Sequence, residues 1–195
     1  NKNDFIRSRA DMDSAALKKK FSNNSIYEKN LPQNTVYKSL YKISEKIRYE
    51  MVGSKMLKGI EKNFKDNYQI NINNNKDKDN EIKNREDTNV EKAFEFYMLK
   101  KFFKSDMNDY SNKVLSYWEK DFDECISNHI DFFYKNIENQ EIYNRKFSEI
   151  IESMNLLDNT DDTQDNETKE NEENNDNNNK NNDETDKQTE SQNEK

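Results

Sequence analysis

The sequence predicts an all-α fold: a helical bundle of three to five helices with a disordered, acidic, Asn-rich C-terminal tail. Three observations carry this expectation. Apolar side chains recur at steps of three and four through most of the first 157 residues, no alternating strand pattern of useful length is present, and the chain holds only two glycines and one proline. Steps of three and four return side chains to one side of a 3.6-residue repeat. Few glycines and prolines leave such stretches unbroken.

In chain order, residues 1–11 show little periodicity and read as a flexible lead-in. Asp13 or Ser14 is placed to cap a short helix through Leu17 and Phe21, with Asn23 and Asn24 suited to end it. The only proline, Pro32, marks a boundary, and Asn34 is a ready N-cap for a second helix on Val36, Leu40, Ile43, Ile47 and Met51. That helix is expected to continue to Phe64 with a slight bend near Gly53, although Gly53 and Gly59 each cost about 1 kcal/mol against Ala.

Residues 71–89 are nearly free of apolar side chains and read as a low-complexity insertion within a helical domain spanning 12–157. Thr88 and Glu91 then have the spacing of a capping box, opening a third helix on Phe94, Tyr97, Met98, Phe102 and Phe103. A break at Ser105–Asp109 precedes a long amphipathic helix carrying Leu115, Trp118, Phe122, Ile126, Ile130, Phe133 and Ile137. A second break near Asn136–Gln140 leads to a final helix through Phe147 and Ile151.

Residues 158–195 contain no apolar side chain, and hold 14 acidic against 4 basic residues. Their net charge of −10 exceeds the −8 of the whole chain, so the body before them is slightly basic. A segment that buries nothing cannot offset roughly 1–2 kcal/mol of backbone entropy per residue, and disorder is the expectation. No apolar run approaches the roughly 20 residues needed to span a bilayer. The chain begins at Asn1 and reads as a fragment, so any targeting segment belongs upstream. A lone cysteine, Cys125, excludes an intramolecular disulfide.

Signatures of chemistry are missing from the sequence. There is no Walker loop, GxGxxG or nucleophile elbow, and no catalytic, cofactor-binding or metal-ligating residue is assigned. Cys125 and His129 lie four apart and share a helix face, yet a nucleophilic pair needs an oxyanion site and zinc needs three or four ligands. They read as a core cysteine beside a half-buried histidine. Trp118, Phe122, Phe133 and Tyr134 read as core packing. The tyrosines at 37, 41, 49, 97, 117 and 143 are too numerous for all to be interior. Tyr97 with Lys100, Lys101 and Lys104 is the candidate partner-binding cluster, an exposed basic surface suited to an acidic peptide. Three adjacent lysines, Lys18–Lys20, read as a solvated face rather than a nucleic-acid site.

The stretch from Trp118 through Phe133-Tyr134 to Tyr143-Asn144-Arg145-Lys146-Phe147 resembles the last part of the PHIST domain, the Plasmodium helical interspersed subtelomeric family. Ser39–Met56, SLYKISEKIRYEMVGSKM, is similar to that domain's earlier helix. The resemblance implies a non-enzymatic helical adaptor exported into the infected erythrocyte. It implies a protein partner, the acidic cytoplasmic segment of a surface adhesin or a host cytoskeletal protein, and no nucleic acid. A self-associating structural subunit of a secreted or surface parasite assembly is the second expectation.

Overall fold

The computed structural model describes residues 1–74, 82–154 and 156. The chain divides into two units, Asn1–Asn159 and Thr160–Lys195. The expected acidic tail and the centre of the expected insertion lie outside the described residues.

Among the described residues the fold is all-α, as the periodicity predicts, but in shorter and more numerous segments. They are α1 Lys2–Phe21, α2 Asn24–Lys29, α3 Thr35–Met56, α4 Lys58–Asn73, α5 Val90–Met98, α6 Asp109–Ser116, α7 Glu119–Ile126, α8 Ile130–Lys135 and α9 Gln140–Glu152. The expected lead-in is helical. Asn1 accepts from the Asn3 and Asp4 amides while Asp4 bonds back to residue 1, a reciprocal cap that starts α1 at the second residue. Its buried residues, Ala10 and Leu17, are too few to mark a face in the sequence.

Central to the fold is α3, which packs against α1, α4, α5 and α9. Asn34 caps it as expected, accepting from the Val36 and Tyr37 amides. The helix passes through Gly53 and stops at Leu57, whose extended φ of −139° turns the chain back into α4. Gly53 serves the α1 crossing instead: a Cβ built there would lie 2.4 Å from Leu17 Cδ1.

A helix surrounded by neighbours must satisfy its polar residues internally. Arg48, fully buried, donates from Nε to Glu45 Oε2 at 2.7 Å and from NH2 to Glu45 Oε1 at 2.8 Å. It also donates to the Phe21 carbonyl at 2.5 Å and the Ile137 carbonyl at 3.2 Å. One guanidinium therefore fastens α3 to the C-terminal end of α1 and to the chain after α8. Gln140, at the start of α9, accepts from the Asn23 amide at 2.7 Å and donates to Glu45 Oε1 at 3.2 Å, closing the same knot.

Part of the expected insertion packs against the body. Ile82 is buried, and the 3-10 turn Arg85–Asp87 is capped by Asn84. The Arg85 guanidinium lies 3.7 Å from the Trp118 ring centroid and bonds Asp121 at 2.7 Å. Trp118 Nε1 donates to Thr88 Oγ1 at 2.7 Å, so Thr88 holds the indole and Asn89 caps α5 through the Lys92 amide. These contacts explain why the expected long helix is broken. The chain turns at Tyr117–Trp118 and tightens to 3-10 at Ser127–His129, giving α6, α7 and α8. Its apolar spacing survives because each piece turns the same side inward: Val114, Phe122, Ile126 and Phe133 are all buried.

The aromatic core reading is seen directly. Phe122 meets Phe94 edge-on at 5.3 Å, and Phe133 lies 4.7 Å from Phe147. Of the six tyrosines, too numerous for all to be interior, Tyr37 and Tyr117 are half-buried while Tyr41, Tyr49, Tyr97 and Tyr143 are interior. Tyr41 donates to the Tyr27 carbonyl at 3.1 Å and Tyr143 to the Ser44 carbonyl at 3.4 Å.

Candidate functional site

The sequence-predicted cluster does not form an exposed basic surface. Tyr97 is wholly buried, and its hydroxyl donates to Asp123 at 2.8 Å. Burial, followed by that bond, pushes its phenol well above the ordinary value. Lys101 bonds Asp123 at 2.9 Å and lies 5.0 Å from the Tyr97 ring centroid, while Lys100 bonds Glu119 at 2.7 Å. Burial works against the Asp123 charge, but the Lys101 and Tyr97 hydrogen bonds outweigh it and hold the carboxyl below its ordinary value. Lys100 and Lys101 thus fasten the end of α5 to α7. Lys104 alone of the four is fully exposed, and it belongs to a different feature.

After α5 the chain widens into a π-helical turn, Leu99–Phe103, which ends at Lys104 with φ 54° and ψ 36°. A left-handed lysine carries a steric cost that glycine would not, and single π turns recur at functional sites. The surroundings hold it in place. The Ser105 amide donates to the Leu99 carbonyl at 3.3 Å, and Lys104 Nζ donates to the Lys101 carbonyl at 2.7 Å. From α8, the Tyr134 hydroxyl bonds the Lys101 carbonyl at 2.9 Å and the Phe102 carbonyl at 3.2 Å. The extra residue in the turn lets two successive phenylalanines be buried: Phe103 against Tyr68 at 5.3 Å, Phe102 against Tyr134 at 5.1 Å.

Beside this turn α3 and α4 leave a half-open cleft of about 230 Å³. Met51, Phe102, Phe103 and Tyr134 give it an apolar lining. Lys55, Lys65, Lys104 and Glu61 bring charge to it. Lys65 is paired with Glu61 at 2.6 Å, whereas Lys55 has no ion-pair partner among the described residues and Lys104 bonds only a carbonyl. The cleft therefore carries a surplus of positive charge. Ser54, also in the wall, is 6% exposed, and its hydroxyl has no hydrogen-bond partner among the described residues.

One turn before Ser54, Glu50 is buried. It accepts from Ser14 Oγ at 2.6 Å and from the Tyr68 hydroxyl, with Lys46 Nζ at 4.0 Å. Burial raises its carboxyl above the ordinary value, and Lys46, Ser14 and Tyr68 only partly counter it. Tyr68 links this acid to the Phe103 ring. Cys125 is half-buried, and burial followed by the Glu124 and Asp121 charges pushes its thiol up, away from thiolate character. Among the described residues no group of three His, Cys, Asp or Glu is placed to hold a metal, and no helix is long and apolar enough to cross a membrane.

Sequence reasoning missed Ser54, Lys55, Lys65 and the cleft they share. Met51, Ser54 and Lys55 do fall at helical spacing on α3, as Glu61 and Lys65 do on α4. Nothing in either spacing says that the two faces meet at a π turn.

Fold and site together define an all-α protein with a lysine-bearing aromatic cleft. The family model described as "Cobalamin biosynthesis protein CobT" matches residues 1–195, and the chain belongs to that family. No curated relative matches, and no solved structure matches. The family match overturns the PHIST resemblance and, with it, the expected export into the erythrocyte, the adhesin or cytoskeletal adaptor role and the parasite assembly subunit. The physical reason is plain in the fold. Trp118, Phe133, Tyr143 and Phe147 are buried core residues, and aromatics at helical spacing specify burial rather than ancestry. The expectation of a protein without catalysis also gives way to membership in a biosynthetic family.

Proposed function

We propose that this protein acts in cobalamin biosynthesis, and that the cleft beside the π turn is where it engages a small molecule of that route. The family match over residues 1–195 is the observation that carries the reading. The cleft supports it by uniting an apolar lining with surplus positive charge, the composition of a small-molecule site.

The experiment is deletion of the coding sequence in the source cell with measurement of cobalamin content. Content falls on deletion and returns with the wild-type chain. A chain carrying Lys55→Glu and Lys104→Glu, both at exposed positions, folds but restores little. Unchanged content on deletion refutes the biosynthetic reading. Full restoration by the double variant refutes the assignment of the cleft.

A further inference from the structure

We propose that the outward face of α1 docks on an anionic lipid bilayer, with the helix lying on the surface rather than crossing it. The proposal is independent of the cleft and of its occupant.

Burial of α1 is one-sided. Its buried residues are Ala10 and Leu17, and Leu17 packs where Gly53 leaves room on α3. On the far side, at 3.6 residues per turn, Phe5, Met12 and Ala16 fall within about 20° of one line along the helix. Phe5 is 66% exposed and Met12 65%, the most exposed large apolar side chains among the described residues. The corner between α3 and α4 lies between two contacts with α1: Gly53 against Leu17, and Asn63, which donates to Asp13 at 2.8 Å. That corner exposes Met56 and Leu57 between Lys55 and Lys58. Four of the five exposed large apolar residues therefore sit on α1 or beside it, a grouping that scattered surface residues would not show.

Charge selects the occupant. Lys2, Arg9, Lys19 and Lys20 lie within about 60° of the Phe5–Met12 line, on both of its flanks. All four are exposed, and none has an ion-pair partner among the described residues. The acidic residues of α1, Asp4, Asp11 and Asp13, project about 80° or more away from that line. An apolar centre with cationic flanks is the arrangement of a helix at a membrane interface: Phe5 and Met12 enter the acyl boundary while the Lys and Arg stems carry their charges out to anionic headgroups. A second copy fits the face less well, since pairing it with itself sets positive charge against positive charge. Nucleic acid would satisfy the cations but leave the apolar centre without a partner. No helix among the described residues is long and apolar enough to cross a membrane, which is consistent with a helix that lies on one.

The test floats the full chain with vesicles of phosphatidylcholine and phosphatidylserine in equal parts, and with vesicles of phosphatidylcholine alone. The chain rises with the anionic vesicles, stays behind with the neutral ones, and is released by salt. Arg9→Gln with Lys19→Gln lowers partition about thirtyfold, each cation at such a surface contributing about fivefold. Phe5→Ser with Met12→Ser lowers it about tenfold or more while keeping every charge. These positions are exposed, so both variants keep the wild-type melting temperature. In a Phe5→Trp chain the emission moves to the blue on anionic vesicles, beyond the Trp118 background of the wild type. The proposal is overturned by no flotation, by equal flotation with both vesicles, or by wild-type binding of the Phe5→Ser, Met12→Ser chain. Dimerisation abolished by that variant, without vesicle binding, also overturns it and gives the face to a second copy.

Discussion

Arg48→Met tests whether one buried guanidinium holds the helices together. Arg48 and Glu45 have side chains 1% and 4% exposed, so neither charge is relieved by water. Methionine fills similar volume but deletes four hydrogen bonds, leaving the Phe21 and Ile137 carbonyls unmatched. Glu45 then keeps only Ser22 Oγ at 2.6 Å and Gln140 Nε2 at 3.2 Å. Removing one partner of a buried ion pair costs about 3–5 kcal/mol, because the survivor is left charged in a poor solvent. The two carbonyls belong to the same network and do not add independently, so the expected loss is about 4 kcal/mol. For a domain of this size each kcal/mol moves the melting temperature by roughly 2–4 °C, and a fall of roughly 8–16 °C follows. Urea unfolding, read by far-ultraviolet circular dichroism and by Trp118 fluorescence, measures it through the midpoint at unchanged slope. Adding Glu45→Gln to Arg48→Met removes the stranded charge and recovers part of the loss. A single variant within about 1 kcal/mol of wild type refutes the argument, as does a double variant weaker than the single one.

The two glycines separate packing from propensity. Gly59→Ala meets nothing within 4 Å and gains about 0.5–1 kcal/mol, whereas Gly53→Ala drives its Cβ into Leu17 and loses about 1–2 kcal/mol net, both read by chemical denaturation. The raised carboxyl of Glu50 favours the protonated form in the fold. Its contribution is therefore fully present below its ordinary value of 4.5 and lost as pH rises through the folded value. Glu50→Gln keeps one hydroxyl donating to its carbonyl oxygen and makes the other accept from its amide N–H, and it flattens the fall in melting temperature over that window; an unchanged slope rules out Glu50 as its source. Tyr134→Phe strips the Lys101 and Phe102 carbonyls of their shared donor. It is expected to cost about 1–2 kcal/mol and to speed hydrogen exchange at the Ser105 amide, with wild-type protection arguing that the π turn holds itself.

Legibility followed the range of the interaction. Caps and breaks set by neighbours in sequence were read correctly where the neighbour was the partner, as at Asn34 and near Asn136–Gln140. Thr88 misled because its hydroxyl serves an indole 30 residues away. The lysine cluster misled for the same reason: spacing places Lys100 and Lys101 on a polar face, but only α7 supplies the Glu119 and Asp123 that occupy them. Family resemblance misled because Trp118 and its aromatic companions are core, and many helical proteins need the same spacing.

The sequence by itself determined that this chain is helical, and which side chains face inward, because a 3.6-residue repeat and local capping act over one or two turns. Tertiary structure alone decided that α3 is central and that Arg48 fastens α1 and the chain after α8 to it. It also decided that a π turn places Phe103 and Lys104 beside Ser54 and Lys55. Those contacts join residues tens of positions apart, and no periodicity within one segment records which foreign face will cover it.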